Sequence, residues 1–310
     1  MFKVVYVGGP EGYLAAKDEL SDVADVVHVE SEFGVLRGAL SDADALLDAS
    51  MKVPITDDMI ISAPKLKIIS CATTGSDHIE RSCLEERNIP VRTLKEDPDL
   101  LYNITPAAEL SWALLMACAR KLVSSVKHVC SNQWVREEFP GIMLNGRQLG
   151  LVGCGRIGQW MARYANAFGM KVVGYDPFLD EFPENLKQVS LEELFETSDF
   201  VSIHVHLSNE TKGLVSRELF NKARRGFILI NTSRGQIVDQ DAFLEALETG
   251  RLGGAGVDVL TGEPKIEGHP LVAYAQSHDN LLITPHIGGY SPDAVKIVCR
   301  HAASKIKLKL

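Results

Sequence analysis

Six residues in mid-chain, Gly153-Cys154-Gly155-Arg156-Ile157-Gly158, constrain the fold more than any other stretch. A Gly-x-Gly-x-x-Gly pattern alone is a weak signal, but its surroundings are specific. Leu149-Gly150-Leu151-Val152 precedes it as a buried strand. A helical pattern follows over 157–168, with Gly169 at its end, and a second strand is expected at 171–175. Asp176 comes 18 residues after Gly158, close to the spacing of about 20 found between glycine loop and acid. In such a strand–helix–strand unit Gly153 permits the tight turn, Gly155 lets the backbone approach a pyrophosphate, and Gly158 lets helix and strand pack closely. Arg156 and Ile157 open the helix, whose N-terminus offers free N–H groups and a partial positive charge to phosphates. Asp176 can accept both ribose hydroxyls and would repel a 2′-phosphate, so the expected cofactor is NAD rather than NADP.

The regions on either side predict two α/β domains. Strands are expected at 3–7, 25–29, 45–48 and 66–71, with a helix at 11–20. An apolar helix is expected from 107 to about 126, capped by Thr105, with Pro106 in its first turn. Six strands are expected afterwards, at 149–153, 171–175, 200–205, 227–231, 254–259 and 281–284. Ser190 with Glu193 reads as a capping box, Asp239 as a cap, and Gly250 as a helix end. A final helix from Ser291 is expected to pack back on the first domain. The predicted fold is two Rossmann-like or flavodoxin-like doubly wound parallel-sheet domains with a cleft between them. Their expected bounds are 1–101 plus 290–310 for the first domain and 102–289 for an NAD-binding domain.

Charge and composition exclude some classes. The 310 residues carry a net charge of −9 with both signs interspersed, which disfavours nucleic acid as a partner. No apolar stretch approaches a membrane span and no leader pattern precedes the first strand, so a cytoplasmic protein is expected. The cysteines at 71, 83, 118, 130, 154 and 299 have neither Cys-x-x-Cys nor zinc-type spacing. They read as reduced, mostly buried thiols, with no metal expected.

Three later motifs are more specific than the glycine loop. They are Asn231-Thr232-Ser233-Arg234-Gly235, Asp258-Val259-Leu260-Thr261-Gly262-Glu263-Pro264, and Thr284-Pro285-His286-Ile287-Gly288-Gly289. With them the chain resembles, over nearly its whole length, the D-isomer-specific 2-hydroxyacid dehydrogenases, the phosphoglycerate, glycerate and lactate dehydrogenase-like family. The resemblance implies reversible hydride transfer between NADH and a small 2-keto acid. It assigns Arg234, Glu263 and His286 as the catalytic residues. Arg234 would hold the substrate with its planar fork of donors. His286 would donate the proton to the ketone oxygen, and Glu263 would orient the ring. The resemblance adds His204, Val205, Thr211, Thr232, Ser233, Asp258 and Gly288 to the cofactor-lining residues, with Asp258 near the nicotinamide carboxamide. In the first domain it marks the loop 72–77, with Thr74 and Gly75, as the holder of the substrate carboxylate. It further implies domain closure, a homodimer through the cofactor domain with candidate contacts at the helix from Thr105 and at 133–144, and no room for an added regulatory domain.

Some readings stay open. A phosphoglycerate dehydrogenase would need extra basic groups near the first-domain loop. A non-catalytic NAD-sensing protein, like the family's co-repressors, is the reading from another class. The formate branch carries Gln-His where this chain has Pro285-His286. Two departures stand out: His206 replaces a proline common in relatives, and Cys154 lies inside the glycine loop. A thiolate or an oxidised sulfur at Cys154, beside the phosphates, is expected to weaken cofactor binding. Of the other histidines, His269 and His278 are expected to be solvated, His28 structural, and His206 is ambiguous.

Overall fold

Short apolar runs, each followed by a helical stretch, become the strands of two separate parallel sheets. The computed structural model describes residues 1–179, 181–183 and 186–310. The chain divides into a first unit, Met1–Ile104 with Gly289–Leu310, and a second, Thr105–Gly288.

The first unit holds β1 (Phe2–Val7), β2 (Ala24–Val29), β3 (Ala45–Asp48), β4 (Ile68–Cys71) and β5 (Val91–Arg92). They lie in the order β2-β1-β3-β4-β5, all parallel. Every residue of β3 and β4 is buried, because helices cover both faces of a parallel sheet. On one face, Val4, Tyr6 and Leu47 share a core with Ala15 and Ala16 of helix Pro10–Glu19 and Ala302, Ala303 and Ile306 of helix Pro292–Lys307. On the other, Val5, Leu46 and Ile69 pack with Leu36, Leu40, Met59, Ile60 and Leu84. Each such side chain, fully buried, contributes roughly 1.5–3 kcal/mol. The last helix is tied across by the Ser70 hydroxyl, which donates to the Ala302 carbonyl at 2.8 Å.

The second unit holds β6 (Gln148–Val152), β7 (Lys171–Tyr175), β8 (Lys187–Gln188), β9 (Phe200–Ile203), β10 (Phe227–Asn231), β11 (Leu252–Val257) and β12 (Leu281–Ile283). The order is β12-β11-β10-β9-β6-β7-β8, again parallel. The sheet therefore has one strand more than the sequence predicts. That strand, β8, is two exposed polar residues, too short and too polar to carry a periodic signal. The chain runs outward from β6 through β7 to β8, then crosses back to β9. The switch point where such sheets bind ligands thus lies between β6 and β9.

The long helix expected from 107 to 126 is two helices, Pro106–Ala119 and Leu122–Cys130. Lys121, at φ +49°, makes the break without a glycine or proline to announce it. Nor is Thr105 a side-chain cap: its hydroxyl donates to Glu109 Oε1 at 2.5 Å. The other caps form as read: Ser190 Oγ accepts from Glu193 N at 3.1 Å, and Asp239 accepts from the amides of Asp241 and Ala242. Among the described residues no helix is long and apolar enough to cross a membrane.

Candidate active site

The glycine loop leaves β6 at the switch point, and its three glycines are needed for different reasons. Gly153 has φ +93°, and a Cβ there would lie 2.5 Å from the His204 carbonyl oxygen. A Cβ on Gly158 would lie 2.3 Å from the Gly153 carbonyl oxygen. Those two positions let the loop press against β9 and against the following helix. Gly155 differs, since a Cβ there would meet nothing within 4 Å. It is the N-cap residue of helix Arg156–Ala167, with no side-chain cap. An uncapped helix N-terminus facing open space fits a pyrophosphate. Arg156 and Ile157, both half-buried, form the first turn.

Asp176 follows β7 and is bound into the same loop. Its Oδ2 accepts from Cys154 N at 2.9 Å and its Oδ1 from Phe178 N at 3.0 Å. A carboxylate has about four acceptor sites, so capacity remains for ribose hydroxyls. Cys154 does not behave as expected. Its side chain is fully buried in the core beneath the loop, facing Gly174. Burial, followed by the Asp176 charge, pushes its thiol up to about 12. The thiol therefore stays protonated at pH 7 and faces the core rather than the phosphate side of the loop.

At the end of β9, His204 N donates to the Val152 carbonyl at 2.7 Å, and its ring Nε2 meets Ser202 Oγ at 2.8 Å. Burial pushes this imidazole down to about 3, so it is neutral at pH 7. Val205 Cγ1 would lie 2.8 Å from a Cβ on Gly153. His204 and Val205 thus wall the glycine loop. Thr211 instead shapes its own turn: its hydroxyl donates to the His206 carbonyl at 2.6 Å and accepts from Ser208 N at 2.7 Å.

The three later motifs follow β10, β11 and β12, which are neighbours in the sheet. After β10, the buried Asn231 side chain holds the turn. Its Nδ2 donates to the Arg234 carbonyl at 2.9 Å and its Oδ1 accepts from Ser233 N at 3.0 Å. Ser233 Oγ donates to the Ile203 carbonyl at 2.8 Å, and Thr232 Oγ1 pairs with Ser111 Oγ at 2.7 Å. The half-buried Arg234 donates from Nη1 to the Ser233 carbonyl at 2.8 Å. Gly235 is pressed against the next loop, since a Cβ on it would lie 2.3 Å from Thr261 N.

Asp258, 1% exposed, organises the loop after β12. Its Oδ1 accepts from Thr284 Oγ1 at 2.6 Å and Ile287 N at 2.9 Å, and its Oδ2 accepts from Gly288 N at 2.7 Å. The carboxylate and the Gly288 amide are thus engaged with each other. His286 N donates to the Asp258 carbonyl at 2.9 Å. That holds His286 at φ +55°, a region few non-glycine residues occupy and one found often at functional sites. From there its Nδ1 meets Glu263 Oε1 at 2.9 Å, with the two side chains 38% and 26% exposed. A carboxylate oxygen only accepts, so Nδ1 carries the proton in this pair. Nε2 is left as the nitrogen able to exchange a proton. Asn231 and Thr284 were given no role from sequence. An asparagine ending a strand before a turn is a recognisable signal; Thr284 has none.

In the first unit, the loop after β4 is folded on itself. Thr73 Oγ1 donates to the Gly75 carbonyl at 2.8 Å, and Arg81 Nη2 donates to Ser76 Oγ at 2.6 Å. Thr74 and Gly75 are both half-buried. Among the remaining histidines, His269 is buried rather than solvated. Its Nδ1 accepts from Leu271 N at 3.2 Å, capping helix Pro270–Ser277. His28 is structural, bonded to the Gly8 carbonyl and stacked on Tyr13.

The doubly wound sheet and its glycine loop define a dinucleotide-binding protein. Residues 112–288 match the D-isomer specific 2-hydroxyacid dehydrogenase, NAD binding domain. A hydroxypyruvate reductase of Thermotoga maritima is 33% identical over 94% of this chain and 92% of its own length. A D-3-phosphoglycerate dehydrogenase of Rattus norvegicus is 34% identical over 82% of this chain, but the match spans only 46% of that longer protein. The crystal structure of the TT0316 protein from Thermus thermophilus superposes with a TM-score of 0.85 at 35% identity, covering 97% of this chain and 94% of the other. A D-lactate dehydrogenase from Aquifex aeolicus, complexed with NAD and lactic acid, gives 0.82 at 27% identity, covering 98% and 94%. The chain belongs to the D-isomer-specific 2-hydroxyacid dehydrogenase family, and its cofactor is NAD.

Proposed function

We propose that this protein is an NAD-dependent D-2-hydroxyacid dehydrogenase in which His286 is the acid and base. The observation that carries this reading is the pairing of His286 Nδ1 with Glu263 Oε1 at 2.9 Å, beside the loop that presents Arg234. When bound, NADH supplies the hydride delivered to the keto carbon. Arg234 holds the keto acid with its fork of donors and polarises the carbonyl. His286 gives its Nε2 proton to the oxygen as negative charge develops there, and takes it back in the oxidative direction. Glu263 fixes the ring's orientation and its tautomer. Asp258 keeps the His286 loop in place. Arg156, Ile157, Thr232, Ser233 and Gly288 are read as further cofactor neighbours, and Thr74 and Gly75 as the first unit's contribution to substrate binding.

A phosphorylated keto acid is the second reading, favoured by the phosphoglycerate dehydrogenases among the relatives. The charges around the loop 72–77 favour an unphosphorylated one. The carboxylate of Asp48 is buried there, and Arg81 is engaged by Ser76. Retention of Arg234, Glu263 and His286 together favours an enzyme over a binding protein without turnover. The test is NADH oxidation with pyruvate, glyoxylate, hydroxypyruvate, a bulky aromatic keto acid and phosphohydroxypyruvate. Turnover of an unphosphorylated member is expected. Turnover of none favours the NAD-sensing protein.

A cytoplasmic homodimer is part of this proposal. Leu122, Val126 and Val129 lie at helical spacing on one exposed face of helix Leu122–Cys130, followed by exposed Trp134 and Met143. That apolar surface supports a second copy as its partner.

A further inference from the structure

The first unit has its own switch point. Its strand order β2-β1-β3-β4-β5 reverses between β1 and β3, where ligands of such sheets bind. The last residue of β3 is Asp48, and its carboxylate is 2% exposed. Four donors converge on it. Oδ1 accepts from Ser50 N at 2.8 Å, Ser50 Oγ at 3.1 Å and Met51 N at 3.3 Å. Oδ2 accepts from His78 Nε2 at 2.5 Å.

His78 comes from the other side of the junction, immediately after the loop 72–77 that follows β4. Its side chain is 10% exposed, and its Nδ1 is buried without a hydrogen-bond partner. The backbone of the same two loops is stitched together. Ile55 N donates to the His78 carbonyl at 2.9 Å, and Glu80 N donates to the Ile55 carbonyl at 2.9 Å. Met51 is held at φ +55° inside the turn that Asp48 gathers. A carboxylate this deep is costly unless every oxygen is bonded, and an apolar residue would close the same space more cheaply. Buried groups left unsatisfied and backbone held in a rare region gather where geometry must be fixed.

We propose that Asp48 and His78 are a positioning couple that sets the loop 72–77 for the keto acid, a role that rests on the substrate-binding reading of Thr74 and Gly75. The couple joins the loops after two adjacent strands through one charged hydrogen bond, so that the loop after β4 moves only with β3. The hydrogen bonds of the couple all lie within the first unit. Its loss therefore acts on keto-acid affinity and spares the chemical step.

The test compares two substitutions in the full-length protein. His78→Phe keeps the ring and removes the donor to Asp48; His78→Gln keeps a side-chain N–H of similar reach. With saturating NADH and the keto acid that the wild type turns over fastest, His78→Phe is expected to raise KM about tenfold or more, the range for a lost hydrogen bond to a charged group. Its kcat should stay within about twofold and its NADH Kd should not change, while His78→Gln should return KM to within about twofold of wild type. An unchanged KM in His78→Phe, or a fall in kcat of the same size, overturns the proposal. Should His78→Phe fail to fold, the smaller His78→Leu reads the same split. Amide hydrogen exchange is followed in the same variants. Faster exchange confined to 50–55 and 72–80 supports the couple; no change, or acceleration throughout, overturns it. If the wild type turns over none of the keto acids, the substrate reading falls, and exchange alone decides whether the clasp stands.

Discussion

Glu263 and His286 follow different strands, yet a carboxylate oxygen of one meets the ring Nδ1 of the other at 2.9 Å. The pair fixes which nitrogen carries a proton before any substrate arrives. His286→Ala should therefore lower kcat by about 10²–10⁴-fold, the usual range for general acid–base catalysis, with NADH affinity nearly intact. Glu263→Ala should lower kcat less, because it removes the orienting group and leaves the acid. Steady-state kinetics beside NADH titration by fluorescence checks both, and wild-type turnover in His286→Ala would remove His286 from the chemistry.

Arg234→Lys should damage keto-acid recognition by about tenfold or more in kcat/KM, since a point charge cannot reproduce the planar fork. Its fold should be unaffected, because Asn231 holds the turn through the backbone carbonyl of residue 234. An unaltered kcat/KM would contradict the substrate role.

The glycine loop makes two opposite predictions. Gly158→Ala puts a Cβ 2.3 Å from the Gly153 carbonyl, and overpacking of this kind costs about 1–3 kcal/mol. It should lower the melting temperature. Gly155→Ala puts a Cβ into open space, so it should leave the melting temperature within a degree or two while weakening NAD binding. Thermal melts with and without NAD separate the two cases.

Asp176→Ala should narrow the preference for NADH over NADPH, because the carboxylate that repels a 2′-phosphate is gone. It also unpairs the Cys154 and Phe178 amides, so some affinity for NADH should fall too. The ratio of the two Kd values is the informative measurement; an unchanged ratio would be evidence against the assignment.

His204 predicts a pH effect. Its folded-state pKa is pushed down to about 3 by burial, against about 6.5 in an unfolded chain. Between those values the unfolded state binds the extra proton, so His204 makes stability fall as pH falls from about 6.5 towards 3. Above 6.5 both states are neutral and the contribution is flat. His204→Gln should show a shallower acid-side decline in melting temperature than the wild type.

The sequence was most readable where partners are close along the chain. Asp176 and the glycine loop lie within one strand–helix–strand unit, and their spacing is dictated by its length. Less was readable where a role depends on a distant partner. Asp48 and His78 are thirty positions apart, and Ser111 meets Thr232 across 121. The direction of the Cys154 side chain was not readable, because the motif gives only its place in the loop; it faces Gly174, where a Cβ would lie 2.4 Å from its sulfur. The break at Lys121 escaped because a lysine in the left-handed region leaves no local mark. The two-residue β8 escaped because pairing with β7, not its own composition, makes it a strand.

The split of the first unit has a consequence for synthesis on the ribosome. Helix Pro292–Lys307 supplies Val298, Cys299, Ala302, Ala303 and Ile306 to that unit's core. The first hundred residues therefore emerge with one face of their sheet only partly covered, by helix Pro10–Glu19. The whole second unit is made and can fold before that cover is released. The first unit is therefore completed after the second, and during that interval the apolar surface that helix Pro292–Lys307 comes to cover is the one a chaperone would meet.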